Sequence, residues 1–243
     1  PLAYVVGWQP FLGLKIYLDS HPLIPRSETE WWTEQLLRSF VPDSPTSPIA
    51  VALRAARPSL TTAPWLAGES PVTFLDLCAG SGAIGCAALA RIPNAQVYFG
   101  EIDPAHEATI LKNIRENNLD TSRADVRIGD LFEPFGDMKF DIIAVNPPYI
   151  PADRELPTSV ANYEPPGALR AGGDGLDLIR RIASELPRHL NKSGVAWIEC
   201  DSAHAPACAG RATATALFIT QNLSAEIRND QYDKPRVIVV SYT

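Results

Sequence analysis

The feature that most constrains the fold of this chain is a regular alternation of apolar strands and helices, which begins at Val72 and continues to the C-terminus. Strand-like runs such as VTFLDL, AQVYFGEI and FDIIAV alternate with helix-like stretches such as GAIGCAALAR and PAHEATILKNIRENN. This alternation predicts a parallel, doubly wound α/β sheet with helices on both faces. Because only QYDKP separates the last two runs, SAEIRND and RVIVVSYT, we expect those strands to pair antiparallel.

Composition divides the chain into three segments. Residues 1–41 predict an N-terminal β-hairpin and a connecting helix. The hairpin strands are LAYVVGW and LKIYLDS, joined by a turn at QPFLG. The helix has Ser27 as its N-cap, and Glu30 completes a capping box. Residues 42–71 are rich in proline and serine and predict an inserted surface loop, with at most a helical turn in IAVALRAAR. Residues 72–243 form the α/β domain and include a helix over about 204–222.

The overall composition argues against several classes of protein. The net charge of −7 gives no general attraction for phosphate backbones, so we expect no direct nucleic-acid binding. The 4 cysteines form no C-x-x-C pair, which disfavours a metal site or a disulfide framework and favours a reducing compartment. No apolar run has the roughly 18 residues of a membrane span. Since the chain starts at Pro1 without a methionine, we expect it to be a piece of a longer protein.

The ends of three predicted strands carry side chains suited to a bound ligand, which in an open α/β sheet lies outside the carboxyl ends of the strands. Asp76 ends the first strand of the alternation, and the turn that follows allows a ligand to approach its backbone because of its glycines. The turn consists of Cys78, Ala79, Gly80, Ser81 and Gly82.

The next two strand ends predict contacts with a nucleoside. Glu101, which is 19 residues after Gly82, can accept hydrogen bonds from both hydroxyls of a ribose. Asp130 can accept one from an adenine amino group, with Leu131 packing on the ring. Taken singly, GSG could be only a tight strand–helix turn and Glu101 a solvated strand end. Together, the three strand ends favour an adenosine-containing ligand.

The stretch VNPPYI, directly after the apolar run FDIIAV, predicts a site for a planar nitrogen. An amide nitrogen is a poor nucleophile, and a site can help it by accepting both of its hydrogens and so orienting it. The Asn146 side-chain oxygen and the Pro147 carbonyl can be these acceptors, and Tyr149 can cover the flat group. Pro147 and Pro148 stiffen the turn and remove competing N–H donors. A proline turn that merely ends a strand would leave Asn146 and Tyr149 unexplained.

An amide nitrogen that has formed a new bond becomes cationic and loses its proton easily, so this chemistry requires no general base. The four histidines are scattered along the chain, and we expect each of them to be at the surface or in packing rather than in catalysis; they are His21, His106, His189 and His204.

Several motifs resemble those of known families. The spacing D-x-x-x-G-x-G is similar to the S-adenosylmethionine motif of class I methyltransferases, with Cys78 where the first glycine of G-x-G-x-G would fall. NPPY occurs in both adenine-N6 DNA methyltransferases and glutamine-N5 methyltransferases. Three longer stretches resemble the HemK/PrmC family, the release-factor glutamine methyltransferases, and the resemblance covers nearly all of the chain outside 42–71. They are PLAYVVGWQPFLGLKIYLDSHPLIPRSETE, NYEPPGALRAGGDGLDLI and RNDQYDKPRVIVV.

This resemblance implies a Rossmann-like class I methyltransferase sheet, mostly parallel with an antiparallel C-terminal hairpin. It implies methyl transfer from S-adenosylmethionine, leaving S-adenosylhomocysteine, to the side-chain nitrogen N5 of the glutamine in the Gly-Gly-Gln loop of a class I peptide release factor. The implied cofactor residues are Asp76, Cys78 to Gly82, Glu101, Asp130, Leu131 and Asn146. The implied catalytic residues are Asn146, Pro147 and Tyr149, the substrate residues are Asn146 to Tyr149 and Glu164, and no metal is implied.

The chain also departs from the family pattern. Nothing within residues 1–243 resembles the N-terminal helical domain that usually helps to dock the release factor, and in IECDSAHAP a cysteine follows the glutamate where a glycine is common. The proline- and serine-rich insertion favours a mitochondrial location, and otherwise a cytoplasmic one. Two alternatives stay open: an adenine-N6 nucleic-acid methyltransferase, disfavoured by the acidic composition and the lack of a target-recognition domain, and a non-catalytic methyltransferase-like binding module.

Overall fold

The computed structural model describes residues 1–40, 71–204, 214–219, 221 and 223–242. The strands are β1 (Trp8–Phe11), β2 (Leu14–Tyr17), β3 (Val72–Leu77), β4 (Ala95–Glu101), β5 (Ala124–Ile128), β6 (Phe140–Val145), β7 (Leu190–Glu199), β8 (Leu223–Asn229) and β9 (Pro235–Tyr242). The α-helices are α1 (Leu2–Val6), α2 (Ser27–Phe40), α3 (Ala83–Arg91), α4 (Glu107–Glu116), α5 (Thr158–Ala161), α6 (Asp177–His189) and α7 (Ala214–Ile219). Short 3₁₀ turns lie between several of these elements.

A mixed sheet forms the centre of the molecule. Within the described residues it has seven strands in the order β5-β4-β3-β6-β7-β9-β8. Strands β3 to β7 pair in parallel, and β9 pairs antiparallel with both β7 and β8. The predicted parallel sheet and the antiparallel C-terminal hairpin are therefore confirmed.

Both faces of the sheet are covered, which is why its central strands are continuous apolar runs. Successive residues of a strand point to opposite faces, so neighbours in β3 belong to different cores. Phe74 packs in the core that includes residues of α2, α3 and the N-terminal hairpin, whereas Leu75 packs in the core that includes residues of α6 and α7. Both side chains have no exposed surface.

Helix α3 lies unusually close to strand β4. A Cβ atom added at Gly85 would come within 2.2 Å of the Phe99 ring, so a side chain at this position would push the helix off the sheet. The close approach brings the start of α3 next to the carboxyl ends of β3 and β4, where the predicted ligand turn lies.

The predicted first strand of the N-terminal hairpin is wrong. LAYVV forms helix α1, which ends at Gly7 with a left-handed φ of 85°. The hairpin instead pairs β1 with β2, with Trp8 opposite Tyr17 and Phe11 opposite Leu14. A short apolar run does not distinguish a strand from a helix, and the left-handed glycine that ends the helix decided the outcome.

The predicted capping box at the start of α2 is also wrong. The helix does begin at Ser27, but the Ser27 hydroxyl donates to Glu28 at 2.9 Å. Glu30 Oε1 accepts from the backbone N–H of Leu12 at 2.6 Å. The Glu30 carboxylate, which the capping box would have used, is therefore bound instead by a backbone N–H of the hairpin.

The hairpin is held against helix α4 by a buried asparagine. Asn113 Oδ1 accepts from Tyr17 N–H at 2.7 Å, and its Nδ2 donates to the carbonyls of Tyr17 and Ser81 at 3.0 and 2.8 Å. Asn113 has no exposed surface. One side chain thus joins the hairpin, helix α4 and the turn after β3.

Two predicted segments fall wholly or partly outside the described residues. The inserted loop at 42–71 does so except for its last residue, so the proposed boundaries of the three segments stay predictions. Of the predicted helix over 204–222, the structure describes α7. Within the part of the chain that is described, no helix has both the length and the apolar character needed to cross a bilayer.

Candidate functional site

A large cavity opens at the carboxyl ends of four parallel strands. Its volume of about 470 Å³ lies in the range of small-molecule sites. The turns after β3, β4, β5 and β6 each contribute to its wall, so the predicted strand-end residues do meet in space. The wall includes Cys78, Gly80, Glu101, Asp130, Leu131, Asn146 and Pro148.

The turn after β3 has a left-handed backbone at three positions. Cys78, Gly80 and Gly82 have φ angles of 62°, 55° and 75°. This conformation is favourable for glycine and strained for cysteine, which explains why the resemblance expects a glycine at position 78. Burial raises the pKa of the Cys78 thiol far above its usual value, so the side chain is a neutral wall of the cavity.

Some predicted cofactor residues shape this turn without lining the cavity. Asp76 is fully buried, and its Oδ2 accepts from Gly85 N–H at 2.8 Å, so it anchors the first turn of α3 beneath the cavity. Burial raises its pKa well above 3.8. Ala79, Ser81 and Gly82 are likewise not part of the cavity wall. Direct contact of these residues with a cofactor therefore stays a prediction.

Glu101 is bound to the turn on one side and faces the cavity on the other. Its Oε2 accepts from Gly80 N–H at 2.7 Å, and its Oε1 accepts from Asp103 N–H at 2.9 Å. An ionised carboxylate has about four lone-pair sites, so each oxygen can accept one more hydrogen bond. Two ribose hydroxyls would use this remaining capacity to accept, and Glu101 therefore fits an adenosine-containing cofactor.

Asp130 is paired with an arginine that the sequence did not single out. Arg181 Nη2 donates to Asp130 Oδ2 at 2.7 Å, and both side chains are half-exposed. Arg181 and the buried Leu131 also line the cavity. Asp130 Oδ1 can still accept from an adenine amino group. The partners are 51 positions apart in the sequence, which explains why no local pattern predicted the pair.

A second, smaller cavity of about 180 Å³ lies beside the first. Asn146 lines both cavities, whereas Pro147 and Tyr149 line the smaller one and Pro148 lines the larger one. The predicted NPPY cup is therefore divided between two spaces, with Asn146 at their junction.

The Asn146 carboxamide has a defined orientation. Its Nδ2 donates to Thr29 Oγ1 at 3.3 Å. Among the described residues, neither Asn146 Oδ1 nor the Pro147 carbonyl oxygen takes part in a hydrogen bond. Both oxygens are thus available as acceptors, as the sequence analysis expected.

A buried carboxylate binds Tyr149 of this cup and Thr29, the hydrogen-bond partner of Asn146. Glu199, at the end of β7, is 1% exposed and accepts from the Tyr149 hydroxyl at 2.8 Å through Oε1. Its Oε2 accepts from Thr29 Oγ1 and Trp32 Nε1, both at 2.7 Å. Burial raises the pKa of Glu199. The sequence patterns gave Glu199, Thr29 and Trp32 no role in the site, although an acidic residue at the end of an apolar strand is the same signal that indicated Asp76 and Glu101.

Glu164 lines neither of these two cavities. Its Oε1 accepts from Arg26 Nη2 at 2.6 Å and its Oε2 from Ile24 N–H at 3.2 Å, and the residue is 3% exposed. Arg26, by contrast, lines the smaller cavity. Any effect of Glu164 on an acceptor therefore acts through Arg26, and direct substrate binding by Glu164 stays a prediction.

One histidine lies at the large cavity. His106 lines the large cavity, with its Nδ1 at 2.8 Å from Ser20 Oγ. His21 stacks on Tyr4, His189 stacks on Phe132, and His204 Nε2 bonds to the Asp174 carbonyl, as packing roles require. Within the described residues, no cluster of three or more His, Cys, Asp and Glu side chains could hold a metal ion.

Comparison with known proteins relates the chain to glutamine methyltransferases. The family described as "Methyltransferase small domain" matches residues 64–162. The "Release factor glutamine methyltransferase" of Geobacter sulfurreducens is 37% identical over 201 residues, which are 82% of this chain and 60% of that protein. The "Ribosomal protein uL3 glutamine methyltransferase" of Bradyrhizobium diazoefficiens is 34% identical over 197 residues, or 80% of this chain and 55% of that protein.

Comparison with solved structures supports the α/β methyltransferase fold described above. The hMettl16 catalytic domain, in complex with a MAT2A 3'UTR hairpin, matches with a TM-score of 0.58 and 16% identity, covering 95% of this chain and 75% of that one. The chain thus has a Rossmann-like methyltransferase fold. It spans 55–60% of the length of the two glutamine methyltransferases described above.

Proposed function

We propose that this chain transfers a methyl group from S-adenosylmethionine to the side-chain nitrogen N5 of a glutamine in a protein, most specifically the Gly-Gly-Gln glutamine of a class I release factor. The observation that carries the proposal is the position of Asn146 between a nucleoside-sized cavity and a smaller second cavity. The identity of 37% to a release factor glutamine methyltransferase supports the same substrate chemistry.

The large cavity is the proposed cofactor site. Glu101 would accept hydrogen bonds from the ribose hydroxyls, Asp130 would accept one from the adenine amino group, and Leu131 would pack on the ring. The open turn at Gly80 would let the cofactor lie against the backbone. When bound, S-adenosylmethionine supplies an electrophilic methyl group on a positively charged sulfur.

The smaller cavity is the proposed acceptor site. Asn146 Oδ1 and the Pro147 carbonyl accept the two hydrogens of the glutamine amide and point its nitrogen at the large cavity. Tyr149 covers the flat amide group. The amide nitrogen held by Asn146 and Pro147 would accept the methyl group, and the electron pair of the broken sulfur–methyl bond would stay on the cofactor sulfur. The amide then loses one proton to water, so no residue is required as a base.

Ribosomal protein uL3 is a second candidate substrate, favoured by the 34% identity to a uL3 glutamine methyltransferase. Both substrates offer a glutamine amide, so the cup around Asn146 suits either. We infer that discrimination depends on surfaces outside the cup.

Incubation with isotopically labelled cofactor tests the proposal. A class I release factor and uL3 are offered separately, and mass spectrometry locates the label. We expect labelling of the Gly-Gly-Gln glutamine, and no labelling of a release factor that lacks it. Faster labelling of uL3 would reassign the substrate. Faster labelling of duplex DNA would instead support the adenine methyltransferase alternative, which the net charge of −7 disfavours.

Calorimetry with S-adenosylmethionine tests the binding-module alternative. The proposal requires binding that is weakened when Glu101 is replaced, whereas a chain that binds no cofactor would be a non-catalytic module. The mitochondrial location stays a prediction, since the glutamine methyltransferases described above are bacterial proteins.

A further inference from the structure

The buried network behind the cup has only one consistent direction of hydrogen bonding. The Trp32 indole N–H can only donate, so Glu199 Oε2, which it shares with Thr29, is the acceptor of both contacts. Thr29 has a single hydroxyl proton, and at 2.7 Å from Glu199 that proton is donated to the carboxylate. The Thr29 oxygen therefore presents only lone pairs to Asn146.

This polarity determines which end of the Asn146 carboxamide faces Thr29. The NH₂ group of Asn146 can donate to the lone pairs of the Thr29 oxygen, as Nδ2 does at 3.3 Å. In the opposite orientation, the Asn146 carbonyl oxygen would face the Thr29 oxygen, and no proton would lie between the two acceptors. Rotating the carboxamide by half a turn would also aim two donors at the place where the acceptor amide needs an oxygen.

We propose that Thr29 is a positioning residue, directed by Glu199, that turns the Asn146 carboxamide so that its oxygen faces the acceptor. The catalytic consequence rests on the proposed function, but the orientation itself does not. Thr29 touches neither cavity wall and is 3% exposed, so its effect passes through Asn146.

The test compares Thr29→Val with Thr29→Ser. Valine keeps the shape and removes the hydroxyl, whereas serine keeps the hydroxyl. We expect Thr29→Val to lower the single-turnover rate of methyl transfer on the order of tenfold to a hundredfold, with the dissociation constant of S-adenosylmethionine changed little. Thr29→Ser should recover most of the rate. Equal rates for Thr29→Val and the wild type would overturn the proposal.

Thr33→Val is the matched control, because it makes the same chemical change one helical turn later. Thr33 is fully buried on the same helix, and its hydroxyl has no hydrogen-bond partner among the described residues. We expect the transfer rate to be unchanged and the melting temperature to be equal or higher. A rate loss as large as that of Thr29→Val would attribute the effect to the packing of α2 and contradict the proposal.

A double-mutant cycle with Asn146→Ala shows whether Thr29 acts through Asn146. If it does, Thr29→Val should have little further effect once the carboxamide is gone. Full additivity of the two losses would overturn the proposal.

The orientation can also be measured without any substrate. In ¹⁵N–¹H spectra, the side-chain NH₂ signals of Asn146 are identified by their absence in Asn146→Ala. They should shift in Thr29→Val and hold their position in Thr29→Ser. Unchanged signals in Thr29→Val would refute the contact whatever the substrate is. Shifted signals without labelling of any glutamine would leave the orientation intact and refute only the proposed function.

Discussion

Asn146 is the residue on which the proposed chemistry depends most directly. Its carboxamide lies at the junction of the two cavities, and its NH₂ end is held by Thr29. The side chain therefore offers one oxygen to an acceptor whose nitrogen is intrinsically a poor nucleophile. Orientation of that nitrogen is the contribution that a substitution at this position removes.

We predict that Asn146→Ala lowers the methyl-transfer rate about a hundredfold or more while leaving cofactor affinity close to that of the wild type. The methyl-transfer rate of Asn146→Asp should lie between those of the wild type and Asn146→Ala, because a carboxylate still accepts hydrogen bonds but cannot donate to Thr29. Single-turnover rates and calorimetry on the three proteins provide the measurement. An aspartate variant slower than the alanine variant would contradict the role of position 146 as an acceptor.

We also predict that Glu101→Ala weakens cofactor binding more than Asp130→Ala. Glu101 is 6% exposed and supports Gly80 and Asp103, whereas Asp130 is half-exposed and already paired with Arg181. Hydrogen bonds to charged groups contribute roughly 1.5–3 kcal/mol each, so the two variants should differ about tenfold in dissociation constant. Calorimetry gives both constants, and equal values would refute the ribose assignment.

At the scale of the elements, helix α6 brings Arg181 to the cavity and is preceded by a charged junction. Arg180 donates through Nη1 to Asp174 Oδ1 at 3.0 Å and through Nη2 to Asp174 Oδ2, and Asp174 Oδ1 also accepts from Leu176 N–H. The hydrogen bonds from Arg180 lower the pKa of Asp174 from 3.8 to about 2. The ionised carboxylate therefore stabilises the start of this helix.

The pH dependence of this contribution has a definite sign. Because the pKa of Asp174 is lower in the folded protein, the stabilisation is complete above pH 3.8 and is lost as the pH falls through about 2. We predict that Asp174→Asn lowers the free energy of unfolding above pH 3.8 by about 1 kcal/mol or less, since the pair is half-exposed. Urea titrations should show this difference shrinking towards about pH 2. A difference that grows on acidification would contradict the pairing.

For the whole molecule, the N-terminal hairpin is an integral part of the methyltransferase fold. Residues of the hairpin and α2 share a core with α3 and α4, and α2 supplies Thr29 and Trp32 to the network around Glu199. Asn113 connects the same hairpin to the turn that precedes α3. Loosening the hairpin should therefore affect both stability and the cofactor site.

We predict that Asn113→Ala lowers the free energy of unfolding by about 2–4 kcal/mol, because it leaves the buried Ser81 carbonyl and the half-buried backbone groups of Tyr17 without their partner. Asn117→Ala is the matched control, since Asn117 makes the same kind of contact to the backbone of Lys15 at an exposed position. Water can replace its bonds, so its loss should cost about 1 kcal/mol or less.

Thermal unfolding and cofactor titration of both variants check this prediction. Asn113→Ala should also bind S-adenosylmethionine more weakly, because the carbonyl of Ser81 belongs to the turn beside the cofactor cavity. Equal destabilisation by the two substitutions would show that the burial of Asn113 does not increase its contribution to the free energy of unfolding.

The sequence by itself determined the doubly wound sheet, the antiparallel pairing of the last two strands and the strand ends that meet at the cavity. These features depend on local periodicity and on the rule that ligands bind at the carboxyl ends of parallel strands. Cys78, Glu101, Asp130 and Asn146 were predicted in this way and do line one cavity.

Only the tertiary structure decided how the strand-end residues are held. LAYVV became a helix that ends at Gly7, and Glu30 bound the distant Leu12 N–H instead of completing a local capping box. Thr29 and Glu199 are separated by 170 residues, and Thr29 and Asn146 by 117. No periodicity encodes such pairs, since a hydrogen bond between them exists only after the sheet has brought β6, β7 and α2 together. The direction of the Asn146 carboxamide is therefore a property of the folded molecule.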